Sequence, residues 1–118
     1  MSKTAIPIND TQIVPRFDLA TEIVILWSEG RSEVQGKKAI LMSRPSAEEL
    51  CQILLSENVT TLICGAIEDE YYEFLKWKGL EVFDSVAGDW SQAFIRWQTN
   101  QLKNGDIFQD RQVEGKPI

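Results

Sequence analysis

The residues with chemical potential in this chain gather at the ends of short apolar runs. Cys64 closes the run Leu62-Ile63-Cys64 and is followed at once by Gly65, so a thiol and a bare stretch of backbone sit where a strand would stop. Asn9 and Asp10 follow the run KTAIPI, Arg16 and Asp18 come a few residues later, and Gly88 follows the run Leu80 to Val86. If those runs are neighbouring strands, folding brings Asn9, Asp10, Arg16, Cys64, Gly65 and Gly88 to one sheet edge, where open α/β sheets collect their ligands. A thiolate at position 64 could ligate a metal, and the Arg16 guanidinium could hold an anion or a carboxylate with two bonds. Each also has a plainer reading. Cys64 is a small core residue, Asn9-Asp10 a turn and Arg16 the partner of Asp18, while Gly65 and Gly88 answer to backbone geometry. Cys51 lies on the apolar stripe of a helix and reads as core.

Composition removes several chemistries. The 118 residues contain no histidine, so Ser-His and Cys-His nucleophilic pairs and imidazole-ligated zinc are excluded. Twelve basic residues against eighteen acidic ones give a net charge of -6, and no Lys/Arg run forms a stripe able to neutralise a phosphate backbone. Nucleic acid is therefore not an expected partner, nor is a membrane, since the longest apolar runs are far too short to span one. Two cysteines inside apolar stretches, with nothing resembling a secretory leader before them, point to a reducing cytoplasm. No enzymatic constellation stands out, and no catalytic residue is assigned.

The elements that must position these residues are legible from pattern. KTAIPI reads as a first strand ending in the turn pair Asn9-Asp10. The segment TQIVPRFDLA carries Pro15 and reads as an irregular edge or loop. Thr21 to Trp27 is a second strand, rich in β-branched residues, and Ser32 to Met42 a third, interrupted near Gly36. From Ser46 the apolar spacing becomes helical through Ala47, Leu50, Cys51, Leu54 and Leu55, with Ser46 and Glu49 as a capping box and Asn58 as the stop. Thr60 to Gly88 then reads as strand, helix and strand, a crossover long enough to lay its two strands parallel. Asp89 and Gln92 start a last helix carrying Trp90, Ala93, Phe94 and Trp97 on one stripe. The resulting expectation is one α/β domain over residues 1–104, a mixed five-stranded sheet (an antiparallel meander plus a parallel βαβ unit) covered by helices. A polar tail, 105–118, would be loosely ordered or docked on a neighbour.

In this order and spacing the chain resembles the dinitrogenase iron-molybdenum cofactor biosynthesis family. The resemblance rests on KTAIPI, on Val14-Pro15-Arg16-Phe17-Asp18-Leu19-Ala20, on Ile63-Cys64-Gly65-Ala66-Ile67 and on Val86-Ala87-Gly88. It covers roughly residues 3 to 103 and implies a ribonuclease H-like three-layer fold. It further implies a small binding or carrier protein that delivers an iron-sulfur or iron-molybdenum cluster precursor, bound transiently, with Cys64 as the candidate metal ligand. The chain departs from the family pattern by lacking its usual histidine: Arg16 stands there, Asp18 replaces a glycine and Ala66 another. The helix start after Ala66, Glu68-Asp69-Glu70, places carboxylates where an anionic ligand would lie. The ribonuclease H-like topology also invites a nuclease reading through Asp10 and Asp84, against which the central strands KTAIPI and TTLICG contribute no carboxylate.

The alternative to a carrier is a non-catalytic interaction or regulatory module that kept the fold and lost the cluster. Tyr71, Phe74, Trp90, Phe94 and Trp97 fall at core-facing spacings. Tyr72 and Trp77 fit that stripe less well, and with Ile107 and Phe108 they could form an apolar patch for a protein partner or a second copy.

Overall fold

The computed structural model describes residues 1–109. Its centre is β1 (Ser2–Asn9), whose five consecutive residues Thr4 to Ile8 are buried. A strand apolar on both faces must be covered on both, and this requirement organises the chain. β1 turns at Asp10, which takes φ 61, and returns as the two-residue β2 (Gln12–Ile13). A single 3-10 turn, Phe17–Leu19, leads into β3 (Glu22–Ser28), antiparallel to β1. β4 (Val34–Leu41) follows antiparallel to β3, with its register broken between Trp27 and Ser28. The interruption read at Gly36 has a packing cause: the Trp27 indole occupies the space a side chain at 36 would need.

The helix α1 (Ala47–Ser56) begins where expected, with the Ser46 hydroxyl accepting a bond from the Glu49 amide at 3.1 Å. Asn58, at φ 60, ends the segment. β5 (Thr61–Ile63) lies parallel to β1, and α2 (Asp69–Trp77) crosses to β6 (Glu81–Phe83), parallel to β5. The resulting order is β4-β3-β1-β5-β6, with β2 attached to β1: a mixed sheet of six strands. The α/β architecture thus matches the sequence reading.

Alternation along the strands sorts the core into two. Ala5, Ile23, Ile25 and Leu62 pack with Leu50, Cys51 and Leu54 of α1 and Leu75 of α2. Ile6, Val24, Leu26 and Ile63 pack on the other face with Ala93, Phe94 and Trp97 of α3 (Trp90–Gln98). Asp89 caps α3 by accepting from the amides of Ser91 and Gln92.

Three features depart from the sequence reading. The sheet has six strands where the sequence predicts five, because Gln12–Ile13, in the segment that reads as an irregular edge or loop, folds back on the end of β1 and pairs with it as β2. The apolar run Leu80 to Val86 is a strand only over its first half, because the chain turns at Asp84-Ser85, Ser85 taking φ 60. The start of the C-terminal segment is ordered: β8 (Ile107–Phe108) pairs in parallel with β7 (Ala87–Gly88), and Phe108 is buried against α3. The rest of the expected polar tail, 110–118, lies outside the described residues. No helix among the described residues is long and apolar enough to cross a membrane.

Candidate functional site

The carboxyl ends of β1 and β5 carry most of the residues singled out by sequence. Beyond β2, the amide of Val14 donates to the Pro7 carbonyl at 3.1 Å, one further rung of the pairing with β1. The segment 14–17 then lies directly on Gly65-Ala66. Ala66 donates to the Pro15 carbonyl at 2.8 Å, and Phe17 donates to the Ala66 carbonyl at 2.8 Å. The absence of a side chain at Gly65 is what permits this, since a Cβ there would collide with the backbone carbonyls of Pro15 and Val14. Phe17 anchors the segment in the core, its ring 6.2 Å from that of Tyr71.

Arg16 therefore reaches the neighbourhood of Gly65, but its guanidinium is already engaged. Nε and one terminal nitrogen donate to the two Asp18 oxygens at 3.1 and 2.8 Å, a fork on a side chain 58% exposed. Cys64 goes the other way. It has no exposed surface, its backbone is tied to Phe83 and Val86, and it belongs to the core cluster under α1 and α2. Burial above all, and then the nearby Asp84 carboxylate, pushes its thiol far above the ordinary thiol range, so it is held neutral. The second free thiol, Cys51, is pushed up to about 11 by burial and by Glu48.

Gly88 has a different task from Gly65. At φ 103 it lies against the Phe108 backbone, where any side chain would clash, and the Asp89 amide donates to the Phe108 carbonyl at 3.2 Å. The chain beside it also meets the β1-β2 turn, through the Gln12–Asp89 bridge and a bond from the Trp90 amide to Thr11. Asn9 and Asp10 are exposed on that turn. Asn9 borders a cavity of about 160 Å³ formed with Ile8, Val14, Leu19, Thr21 and Glu22, which none of the other predicted site residues lines. The structure thus joins Arg16 to Gly65 and Gly88 to the turn, but it places the Cys64 thiol inside the protein.

Solved structures that share this architecture include the following three. A protein designated PH0822 superposes with a TM-score of 0.77 at 18% identity, over 97% of this chain and 99% of its own. A protein of Methanocaldococcus jannaschii provisionally named a dinitrogenase gives 0.71 at 23% identity, over 86% and 91%. A Thermotoga protein provisionally named a NifB protein, of the DUF35 family, gives 0.69 at 21%, over 94% and 99%. The fold is theirs. No family model and no curated protein matches the chain.

A directly ligated cluster asks for several thiolates or imidazoles converging on one space. Here the edge offers one neutral, buried thiol under a segment bonded across Gly65, and among the described residues no three His, Cys, Asp or Glu side chains converge to hold a metal ion. These residues do not fit such a cluster.

Two surface features escape the sequence reading. Between α1 and α2 a groove of about 190 Å³ is lined by Glu48, Cys51, Gln52, Glu70, Tyr71 and Phe74. Between β4 and α3 a shallower trough of about 470 Å³ is floored by Leu26, Val34 and Phe94, and the Lys37 ammonium stands 5.8 Å from the Trp90 ring at its side. Residues on core-facing stripes form much of both, so periodicity alone assigns them to the interior. Their signal lies in the neighbours, Glu48 and Glu70 in one case and Lys37 in the other.

Proposed function

We propose that this chain is a small non-catalytic protein of the cofactor-biosynthesis type that works through contacts with another protein and does not hold a metal cluster at Cys64. The observation that carries the reading is the closure of the Cys64 edge. The segment 14–17 is bonded across Gly65-Ala66, Arg16 is spent on Asp18, and the thiol is neutral with no exposed surface. The relation to cofactor biosynthesis is supported by the resemblance of the sequence motifs and by the fold shared with the M. jannaschii and Thermotoga proteins. That shared fold also favours a second reading, transient carriage of a cluster precursor, which requires the 14–17 segment to leave Gly65.

Anaerobic reconstitution with iron and sulfide, read by visible absorption and metal analysis on the wild type and on Cys64→Ala, separates the two. The expected result is no stoichiometric charge-transfer absorption attributable to Cys64. Stoichiometric loading lost in the variant would overturn the proposal and establish carriage.

A further inference from the structure

The α1–α2 groove combines an apolar floor with an unneutralised acidic rim. Cys51, Tyr71 and Phe74 supply the floor, and Glu48 and Glu70, each from the first turn of its helix, also line the groove. Among the described residues neither carboxylate has an ion-pair partner. The two helix N-termini contribute roughly half a positive charge each, which favours carboxylates at these positions. Five of them crowd there, Glu48, Glu49, Glu68, Asp69 and Glu70, so a negative field remains after the dipoles are counted. Tyr71 registers the same field: its hydroxyl is held above the ordinary phenol range by burial first, then by Glu70, Glu48 and Glu68. A space of about 190 Å³ suits one long side chain and is too small for a helix or a drug-sized ligand.

We propose that this groove receives a lysine or arginine side chain presented by a partner protein. Its cation lies between Glu48 and Glu70, and its methylene stem lies on Tyr71, Phe74 and Cys51. Charge complementarity selects the occupant: an acidic rim over an aromatic floor rewards a cation on an apolar stem, and rejects an acidic segment. The Phe74 ring already has the Lys78 ammonium 5.8 Å from its centroid, so Tyr71 is the aromatic face expected to meet the incoming cation. This proposal rests on the reading of the protein as an interaction module and names the chemistry of its partner.

The test titrates isotope-labelled protein with N-acetyl-arginine methylamide and N-acetyl-lysine methylamide, with N-acetyl-norleucine methylamide as the uncharged counterpart, following amide shifts. The expected result is weak, saturable binding of the two cations with shifts centred on residues 48–52 and 70–74. Norleucine should not bind, and the Glu48→Gln/Glu70→Gln double variant should lose about tenfold or more in affinity. Glu73→Gln, which removes one charge from α2 outside the groove, should bind as the wild type does, and the dispersion of the same spectra verifies that each variant is folded. Shifts spread over the acidic surface without saturation, equal binding of norleucine, or undiminished binding by the double variant would each overturn the proposal. Iron loading in the reconstitution experiment would instead sink the interaction reading, so the two failures are distinct.

Discussion

Gly65 and Cys64 form a pair in which backbone geometry controls a thiol. The carbonyls of Val14 and Pro15 lie where a Cβ at 65 would go, and neither is the free end of a side chain that could swing away. Gly65→Ala should therefore lift the 14–17 segment and cost about 1–3 kcal/mol in urea unfolding. Gly30→Ala, at φ 60 in open space, pays backbone strain alone, roughly 1 kcal/mol. A second readout separates the two. In a Cys51→Ala background, Cys64 should react with an aromatic disulfide reagent many times faster once Gly65→Ala uncovers it, and at the wild-type rate with Gly30→Ala. The thiols also set an alkaline limit. A folded pKa raised above the ordinary 9.0 means that the native state retains the proton longer than the unfolded chain does. The contribution of Cys51 is complete below 9.0 and is lost as pH rises toward its folded value of about 11. The urea midpoint should fall across that window, and less steeply in Cys51→Ala. Sequence reading recognised that Arg16 could pair with Asp18, two residues apart, and that Gly65 could be glycine for backbone reasons. It could not say which backbone approaches Gly65, because Val14 and Pro15 are fifty residues away along the chain.

The caps are the elements' most legible feature, because a cap is a local bond between residues two or three apart. Ser46 binds the Glu49 amide and Asp89 the Gln92 amide as the sequence assigns, but the return bond of the expected capping box does not form among the described residues: the Asp89 amide donates to the Phe108 carbonyl and the Gln92 side chain to the Gln109 carbonyl. The Asp89 carboxyl is raised by partial burial, but the bonds from the Ser91 hydroxyl and from the amides of Gln92 and Ser91 together outweigh this and hold it below the ordinary value. Its folded pKa is thus depressed, and its stabilisation is present above the unfolded value of 3.8 and lost as pH falls through the folded one. Asp89→Ala should cost about 1 kcal/mol at neutral pH. Asp89→Asn, which keeps an accepting oxygen, should cost much less, and the gap between Asp89→Ala and wild type should narrow in acid; urea titrations at the two pH values check both. What local pattern does not reveal is pairing at long range between very short strands. β7 and β8 have two residues each, too few to show any period, and they meet across nearly twenty residues of intervening chain. The groove between α1 and α2 is hidden for a related reason, since each helix's stripe is legible while the gap between two stripes is a product of packing.

At the scale of the whole molecule, the placement of β8 carries the packed unit through Phe108. Among the described residues α3 is the one helix on the face opposite α1 and α2, and Phe108 completes that layer with Trp97 and Leu102, with the Arg96 guanidinium 5.6 Å from its ring. Parallel pairing with β7 holds it there, and Gly88 is glycine because the Phe108 backbone occupies the space of its side chain. Adjacent residues in one two-residue strand thus face opposite environments: Phe108 is 8% exposed and Ile107 71%. Counting hydrophobic residues in a polar segment cannot distinguish them, whereas the pairing can. Phe108→Ala should cost about 3–5 kcal/mol, the range for a buried aromatic cut to alanine, while Ile107→Ala should change stability by less than about 0.5 kcal/mol. Equal, small losses at both positions in urea unfolding would mean that α3 covers its face unaided and that the packed unit closes before residue 107. The expected asymmetry would make β8 an integral part of the packed unit, bonded to the turn that also carries Gly88 and the cap of α3.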